Sequence, residues 1–391
     1  METLTVQNEA MTHQQGLNEV LLRKVNRMLE NRATSVEATF EKMEREGKLM
    51  QDYITPIGVN LKSTDRRPVV TFSANGAVNM DFSEITDNVF EEHHFSLHDN
   101  AVGQLATKMG IPTRYLKDLA AGKEWQRGLA SQILNQHCEN TERSRMLVRC
   151  VGNEVRGVLS DSYRRLNSID ILTAFVREAT EKGAVVADAL YTDTKMFVET
   201  LLPMPIEIPT AKNGTVVLFA GARFSTSDFG DGALDMRAFL LNGACLNGMV
   251  RESMMRQIHL GAKLPDSLAL SEETYRLDTA TSVSAVRDLT RGLYSKENIM
   301  AKAIEIQKAA DIDVDFQKEI TRLVKGGSML KSEGEEVEKI LMRNNPDDGV
   351  TGGSSLWKLT QAITAHAREV EPLRARELQE ISGALIDRVN H

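Results

Sequence analysis

The chain has 391 residues, 41% of them hydrophobic, and its formal net charge at pH 7 is −8. This length and apolar content predict a folded globular protein, and the acidic balance argues against one that coats nucleic acid through overall positive charge. Three cysteines without regular spacing argue against a disulfide scaffold, and no apolar run approaches the roughly 20 residues that span a bilayer, so a cytoplasmic protein with no membrane contact is expected.

The N-terminal region, residues 1–52, is predicted to form a helical arm. Apolar residues recur at helical spacing through Leu21 and Val25. An arm that docks on the core and an arm that stays exposed both fit this pattern. Strands are expected to begin after Tyr53, where proline, glycine and β-branched residues alternate and Asn75–Gly76 is a hairpin signal.

Two short helices are predicted within residues 99–121. Val102 and Leu105 share one helical face, Gly110 ends the first helix, and Pro112 opens the second. This spacing is similar to that of bacterial repressor helix-turn-helix motifs, whose second helix enters the major groove. A plain helix pair packed on a sheet is the alternative, because the start of the second helix is poor in base-reading side chains.

The stretch from Arg143 to Asn167 holds six arginines and two acids. Apolar and polar residues alternate on both sides of Gly152–Asn153, a two-residue turn that favours a β-hairpin. With that turn, Arg149 would lie directly opposite Arg156 on the neighbouring strand. Like charges in that position destabilise a strand pair, so both side chains should be exposed to water or should meet an anion.

The same alternation assigns the two faces of this hairpin. The face for the core carries Met146, Val148, Cys150, Val155 and Leu159. The opposite face carries Arg145, Arg149 and Arg156, with Tyr163, Arg164 and Arg165 just beyond. Arginines beside an aromatic ring suit a phosphate backbone with a base stacked on the ring. A solvated sheet face, with Glu154 and Asp161 as local partners, is the alternative.

The remainder of the chain completes an α+β pattern. A helix is expected from Ser168 to Gly183, hairpins follow it, and only helices are expected from Pro265 onward. The predicted fold is an antiparallel, hairpin-rich sheet with packed helices, a helical N-terminal arm and an all-helical C-terminal region. Its three regions are the arm, an α+β core over residues 53–264 with a basic sheet face, and the helical residues 265–391.

Motifs of the common enzyme classes do not occur in this sequence. It contains no Walker loop, no dinucleotide-binding glycine fingerprint and no Gly-x-Ser-x-Gly elbow, so no cofactor, metal or catalytic residue is predicted. A magnesium-dependent nuclease is an alternative in which five aspartates would converge. They are Asp161, Asp188, Asp228, Asp231 and Asp235.

Four segments resemble the phage/plasmid-like protein family, a family of unknown function carried by phages, prophages and conjugative plasmids. They read GIPTRYLKDL, MLVRCVGNEVRGVLSDSYRRLNSIDIL, FAGARFSTSDFGDGALDMRAFLLNGACLNGM and SLWKLTQAITAHARE. Two positions depart from the family pattern: Ser162 stands where arginine is usual, and Leu246 where the Cys-Thr-Asn-Gly block has threonine. The resemblance implies a mobile element in bacteria and supplies no settled activity.

Together these observations predict an ATP-independent single-stranded DNA binding and annealing protein that acts in recombination or replication. Helices at both ends would pack between subunits in a homo-oligomer, either a ring or a filament. The turn and following segment LNGMVRESMMRQ, interpreted as an amphipathic helix, would extend the groove. The candidate DNA-binding residues are Arg143, Arg145, Arg149, Arg156, Tyr163, Arg164, Arg165, Asn247, Arg251 and Arg256.

Two other classes of function fit the same sequence. A regulator would use the helix pair 99–121 to bind a defined duplex sequence as a dimer. An anti-defence or interaction protein would instead use its acidic C-terminal helices to occupy a host protein, without affinity for DNA.

Overall fold

The computed structural model describes residues 2–57, 69–72, 78–82, 93–142, 145–161, 163, 166, 168–257 and 271–388. The described residues are 55% helical and 25% strand, which confirms the predicted α+β class. The Asn75–Gly76 turn lies outside the described residues, although the strands on either side of it pair antiparallel.

The described residues form eleven helices and eleven strands. The helices are α1 (Glu2–Lys48), α2 (Asp99–Lys108), α3 (Thr113–Ala120), α4 (Glu124–Asn140), α5 (Ser168–Glu181), α6 (Glu272–Leu293), α7 (Lys296–Asp311), α8 (Phe316–Lys325), α9 (Lys331–Arg343), α10 (Leu356–His366) and α11 (Pro372–Asp387). The strands are β1 (Met50–Pro56), β2 (Val69–Phe72), β3 (Val78–Phe82), β4 (His93–Leu97), β5 (Arg145–Val151), β6 (Glu154–Ser160), β7 (Val185–Tyr191), β8 (Met196–Thr210), β9 (Gly214–Thr226), β10 (Leu234–Asn242) and β11 (Gly248–Gln257). None of these helices is long and apolar enough to cross a membrane.

The strands form two sheets rather than the single sheet predicted. The first sheet has the order β1-β5-β6-β4-β3-β2, and only its β4–β6 pair is parallel. The second sheet is an antiparallel meander of order β11-β10-β9-β8-β7. A loop of the second sheet, residues 227–232, packs against the first sheet, because a Cβ on Gly157 would lie 3.4 Å from the backbone of Phe229.

Helices cover the apolar faces of both sheets. The helices α2, α3 and α4 pack on the first sheet, with Leu105 and Leu116 fully buried against Val148 and Val158. One part of the second sheet packs on α5 and α6. Another part packs on the C-terminal helices through a core that includes Trp357.

The N-terminal helix α1 is one continuous helix that docks on the second sheet. Its Leu21 and Val25 are buried against Phe219 and Phe239, and Met43 is buried nearer its C-terminal end. The docked form of the predicted arm is therefore the one observed.

A close approach between α11 and β11 depends on Gly383. A Cβ at this position would lie 1.7 Å from the carbonyl oxygen of Val250, which is backbone and cannot rotate away. Gly383→Ala is therefore expected to destabilise the protein by about 1–3 kcal/mol in chemical denaturation, as overpacked sites do.

Gly292 supplies the matched control for that substitution. It also lies in a helix, but a Cβ there would meet nothing within 4 Å. Gly292→Ala should stabilise the protein by about 0.5–1 kcal/mol, because alanine loses less backbone entropy on folding. Equal effects of the two substitutions would contradict the close approach.

Candidate functional site

The hairpin β5–β6 forms at the predicted turn but with a different register. Gly152 has φ +56°, as two-residue turns with glycine first require, and Val151 pairs with Glu154. A bulge between Arg149 and Cys150 then shifts the pairing, so that Arg149 lies opposite Gly157. The prediction that Arg149 faces Arg156 directly is wrong, because Arg156 is itself the extra residue of the bulge and has no partner on β5.

The bulge also changes which residues of β6 share a face. Met146, Val148 and Cys150 of β5 lie in the core under α2–α4, as predicted, and Val155 lies there with them. Leu159 instead packs with Leu147 and Tyr163 on the opposite face. The prediction of which side chains lie on each face of the hairpin is correct up to the bulge and wrong for Leu159 beyond it.

Arg149 is buried and its charge is already balanced within the protein. Only 4% of the residue is exposed, and its guanidinium donates two hydrogen bonds of 2.7 Å to the two carboxylate oxygens of Asp52. A third hydrogen bond of 2.8 Å reaches the carbonyl oxygen of Asp228. Burial disfavours the charged guanidinium, but these acidic partners outweigh it and raise the pKa of Arg149.

Arg156 is also buried among acidic partners. Its Nε donates to Glu154 at 2.8 Å, and its Nη1 donates to Glu46 of α1 and to the carbonyl oxygen of Asp193. The two arginines therefore do not form the open basic face that was predicted. Carboxylates from β1, β6 and α1 already occupy the positions expected for an external anion.

The other candidates near this hairpin are similarly committed or lie outside the described residues. Arg145 is half-buried and lies 3.8 Å from Asp161. Tyr163 is buried, and its hydroxyl donates to the carbonyl oxygen of Ser227 at 3.2 Å, so its ring is not an open stacking platform. Arg143, Arg164 and Arg165 lie outside the described residues.

The second group of predicted DNA-binding residues, Asn247, Arg251 and Arg256, does not form a groove either. The segment interpreted as a helix is strand β11, because it pairs with β10 across a tight connection. Arg251 is buried and lies 2.6 Å from Asp387, and Asn247 is buried and donates to the carbonyl oxygen of Asp348 at 2.9 Å. Arg256 alone of these three is exposed.

The five aspartates of the nuclease alternative do not converge. Each has its own partner: Asp161 with Arg145, Asp188 with Arg376, Asp228 with Ser168, Asp231 with Lys195, and Asp235 with Arg237. Within the part of the chain that the structure describes, no group of three or more acidic, histidine or cysteine residues could hold a metal ion.

A cleft of about 700 Å³ opens between the helix pair α2–α3 and the loop 227–232. Gln104 joins its walls, since its Nε2 donates to the carbonyl oxygen of Phe229 at 2.7 Å and its Oε1 accepts from the Val158 amide at 2.8 Å. Lys117 on the rim pairs with Asp99 at 2.5 Å. Segments from three of the four blocks behind the family resemblance line this cleft.

Beside this cleft, α3 and the start of α4 present two exposed aromatic rings among cations. Tyr115 is 48% exposed and Trp125 is 65% exposed, although aromatic side chains of this size are usually packed. We define the α3–α4 surface by these two rings and the four cations around them. The cations are Arg114, Lys117, Lys123 and Arg127.

Two of the four cations, Arg114 and Lys123, are weakly held compared with those of the hairpin, whereas Lys117 pairs with Asp99 and Arg127 donates to the carbonyl oxygen of Gly122 at 2.6 Å. Arg114 has a side chain that is 95% exposed and approaches Asp118 only to 4.0 Å. Lys123 is exposed and forms no ion pair within 4.0 Å with a described residue. Ion pairs at such exposed positions contribute about 0–1 kcal/mol, so these charges can be redirected to a ligand at little cost.

The sequence carried a signal for this surface in RYLKDLAAGKEWQR, where arginine and lysine flank both aromatic residues. The prediction for this helix pair considered only base-reading side chains at the start of the second helix. It therefore overlooked these cations and rings. Burial of Leu116 and Leu119 turns Arg114 and Tyr115 outward.

No family model matches the chain, and no curated protein or solved structure is significantly similar to it. The resemblance to the phage/plasmid-like family therefore stays a prediction.

Proposed function

We propose that the protein binds single-stranded DNA through the α3–α4 surface, without nucleotide hydrolysis. The observation that carries this proposal is the exposure of Tyr115 and Trp125 among four cations. Proteins that bind single strands without strong sequence preference combine cations that follow the backbone with aromatic rings on which bases stack. The buried hairpin arginines have no part in this binding; their role is to hold β5 and β6 to the surrounding elements.

This mode of binding suits the annealing of complementary strands. Stacking on a ring engages the face of a base, and the cations engage the phosphates, so the Watson–Crick edges stay available for pairing. An oligomer of a phage or mobile-element protein that presents many such surfaces would align one strand for recombination or replication.

A sequence-specific duplex-binding regulator is the second candidate, favoured by one observation. The second helix of the pair, α3, exposes Arg114 and Tyr115 at its N-terminal end, where recognition helices contact base edges. Its first helix, α2, is packed on β6.

Fluorescence anisotropy with labelled single-stranded and duplex oligonucleotides tests both candidates. If the four cations each neutralise one phosphate, log K should fall with log[salt] with a slope of about −3, or roughly 50-fold between 50 and 200 mM salt. Single-strand binding with that slope is expected, together with faster annealing of complementary strands. Absence of single-strand binding at low salt would refute the proposal, and preference for one duplex sequence would favour the regulator.

A further inference from the structure

A second pocket, of about 390 Å³, lies on the far side of the second sheet, between α1 and the helices α10 and α11. Its volume falls in the range of small-molecule sites. Apolar side chains from three elements line it: Met28 of α1, Phe239 and Leu241 of β10, and Leu246 of the turn between β10 and β11. The pocket is separate from the α3–α4 surface and shares no residue with it.

Four cations line the walls of this pocket. Lys24 and Arg32 come from α1, where they flank Met28 on one helical face and are about 12 Å apart along the axis. Arg368 follows α10, and Arg376 lies on α11, so these two approach from the opposite wall.

Most carboxylates near these cations are already neutralised. Arg376 pairs with Asp188 at 2.6 Å, and Arg368 pairs with Asp348 at 2.6 Å. A third carboxylate on the wall, that of Glu199, accepts from Arg223 at 2.9 Å.

The two cations of α1 keep their charge available. Lys24 donates to the carbonyl oxygen of Ala244, which is uncharged, and Arg32 forms no hydrogen bond or close ion pair with a described residue, its charge acting on Asp188 and Glu199 only from a longer distance. Asp347 is the one lining carboxylate without an ion pair to a described residue. The uncommitted charge of the pocket is therefore positive.

Arg376 adds a buried donor without an acceptor. The residue is 7% exposed, and its Nε has no hydrogen-bond partner among the described residues. Its Nη1 donates only to the carbonyl oxygen of Pro372, one turn earlier in α11. Leaving a buried donor unsatisfied costs about 1–3 kcal/mol, so the guanidinium of Arg376 has a hydrogen-bonding capacity that Asp188 and Pro372 leave unused.

Strain at Leu246 is the second unusual feature of this wall. Leu246 has φ +59°, in the left-handed region that leucine rarely adopts, and Asn242 holds it there by hydrogen bonds across the turn. Such conformations cost about 1–3 kcal/mol and cluster at ligand-binding sites. The strain places the apolar Leu246 side chain on the wall of the pocket beside Cys245.

Cys245 itself does not make this a covalent site. Burial raises the pKa of its thiol to about 11, so the group is neutral at pH 7 and a poor nucleophile. The chemistry of the pocket is that of binding.

We propose that this pocket binds a phosphate monoester carried on an apolar or aromatic body, the chemistry of a nucleoside monophosphate. The phosphate lies between Arg32 and Arg376, and the body packs on Met28, Phe239 and Leu246. This inference goes beyond the proposed DNA binding and does not depend on it.

Isothermal titration calorimetry on the full chain tests the pocket with three probes: adenosine monophosphate, adenosine and inorganic phosphate. Adenosine monophosphate should bind at least tenfold more tightly than either fragment, because each fragment makes only part of the contacts. Arg32→Gln should weaken its binding by about tenfold or more, the value of a charge-assisted hydrogen bond.

Arg27→Gln is the matched control, because Arg27 is also exposed on α1 but does not line the pocket. Binding lost equally in both variants, or no binding of adenosine monophosphate up to about 1 mM, would overturn the proposal. A Tyr115→Ala, Trp125→Ala variant should bind adenosine monophosphate normally, so failure at the pocket and failure at the α3–α4 surface are separate results.

Discussion

Replacing both Tyr115 and Trp125 with alanine should abolish most of the affinity for single-stranded DNA while leaving the protein folded. Each ring that stacks on a base contributes about 1–3 kcal/mol, or roughly 5- to 150-fold in the dissociation constant. Both side chains are largely exposed, so their loss should change the free energy of unfolding by less than about 0.5 kcal/mol. Anisotropy titrations at low salt measure the first effect, and denaturation measures the second.

The chain offers a spectroscopic check on the same prediction. It has two tryptophans, Trp125 at 65% exposure and Trp357 at 3%. A base that stacks on Trp125 should quench its fluorescence, and the quenching should disappear in Trp125→Phe, in which only the buried Trp357 emits. Met342→Ala, at an exposed apolar position on α9, is the control for nonspecific surface effects. DNA-dependent quenching that persists in Trp125→Phe would contradict stacking at this residue.

Arg149→Met is expected to destabilise the protein by about 3–5 kcal/mol without changing the DNA affinity of the molecules that remain folded. The substitution leaves the Asp52 carboxylate beside an apolar side chain and removes a hydrogen bond to the Asp228 carbonyl. Breaking a largely buried ion pair by removing one partner has a cost of this order, because the Asp52 carboxylate, 20% exposed, loses the guanidinium that neutralises it. Urea denaturation measures the change.

Two further variants separate this explanation from a general loss of packing. Asp52→Leu combined with Arg149→Met should recover much of the loss, because no buried charge is left without its partner. Arg177→Met should cost less than about 1 kcal/mol, since Arg177 is exposed and its ion pair with Glu181 lies on the surface of α5. A folded Arg149→Met protein with unchanged stability but weakened DNA binding would indicate that DNA binds at the hairpin, as the sequence had predicted.

Local pattern was sufficient to predict much of this fold. The turn at Gly152–Asn153, the helix that starts at Ser168 and the change to helices near residue 271 all follow from signals within a few neighbouring residues. The faces of β5 follow in the same way, because side chains alternate along a strand.

The site required contacts that no local pattern contains. The carboxylate that neutralises Arg149 comes from Asp52, 97 residues away, and Arg156 pairs with Glu46, 110 residues away, as well as with Glu154, the local partner named in the alternative prediction. An excess of arginine in sequence therefore indicated a charged interior rather than a charged surface. The bulge was equally invisible, because it places Gly157 against the backbone of Phe229, another distant residue.

Strand β11 shows a further limit of local propensity. Its sequence GMVRESMMRQ is rich in residues that favour helices, yet it forms the edge strand of the second sheet. Pairing with β10 satisfies the backbone groups on one side of the strand, and burial of Met249 and Val250 against α11 and β10 outweighs the helical preference.

The docking of α1 has a consequence for how the chain is made. Its Leu21 and Val25 pack on Phe219, Phe239 and Val250, which emerge from the ribosome about 200 residues later. At about 5–20 residues per second, the apolar stripe of the first helix waits roughly 10–40 s for the sheet that covers it. The nascent helix therefore exposes a face that contains leucine and methionine until the sheet is made, and a holdase chaperone that covers this face would reduce its aggregation.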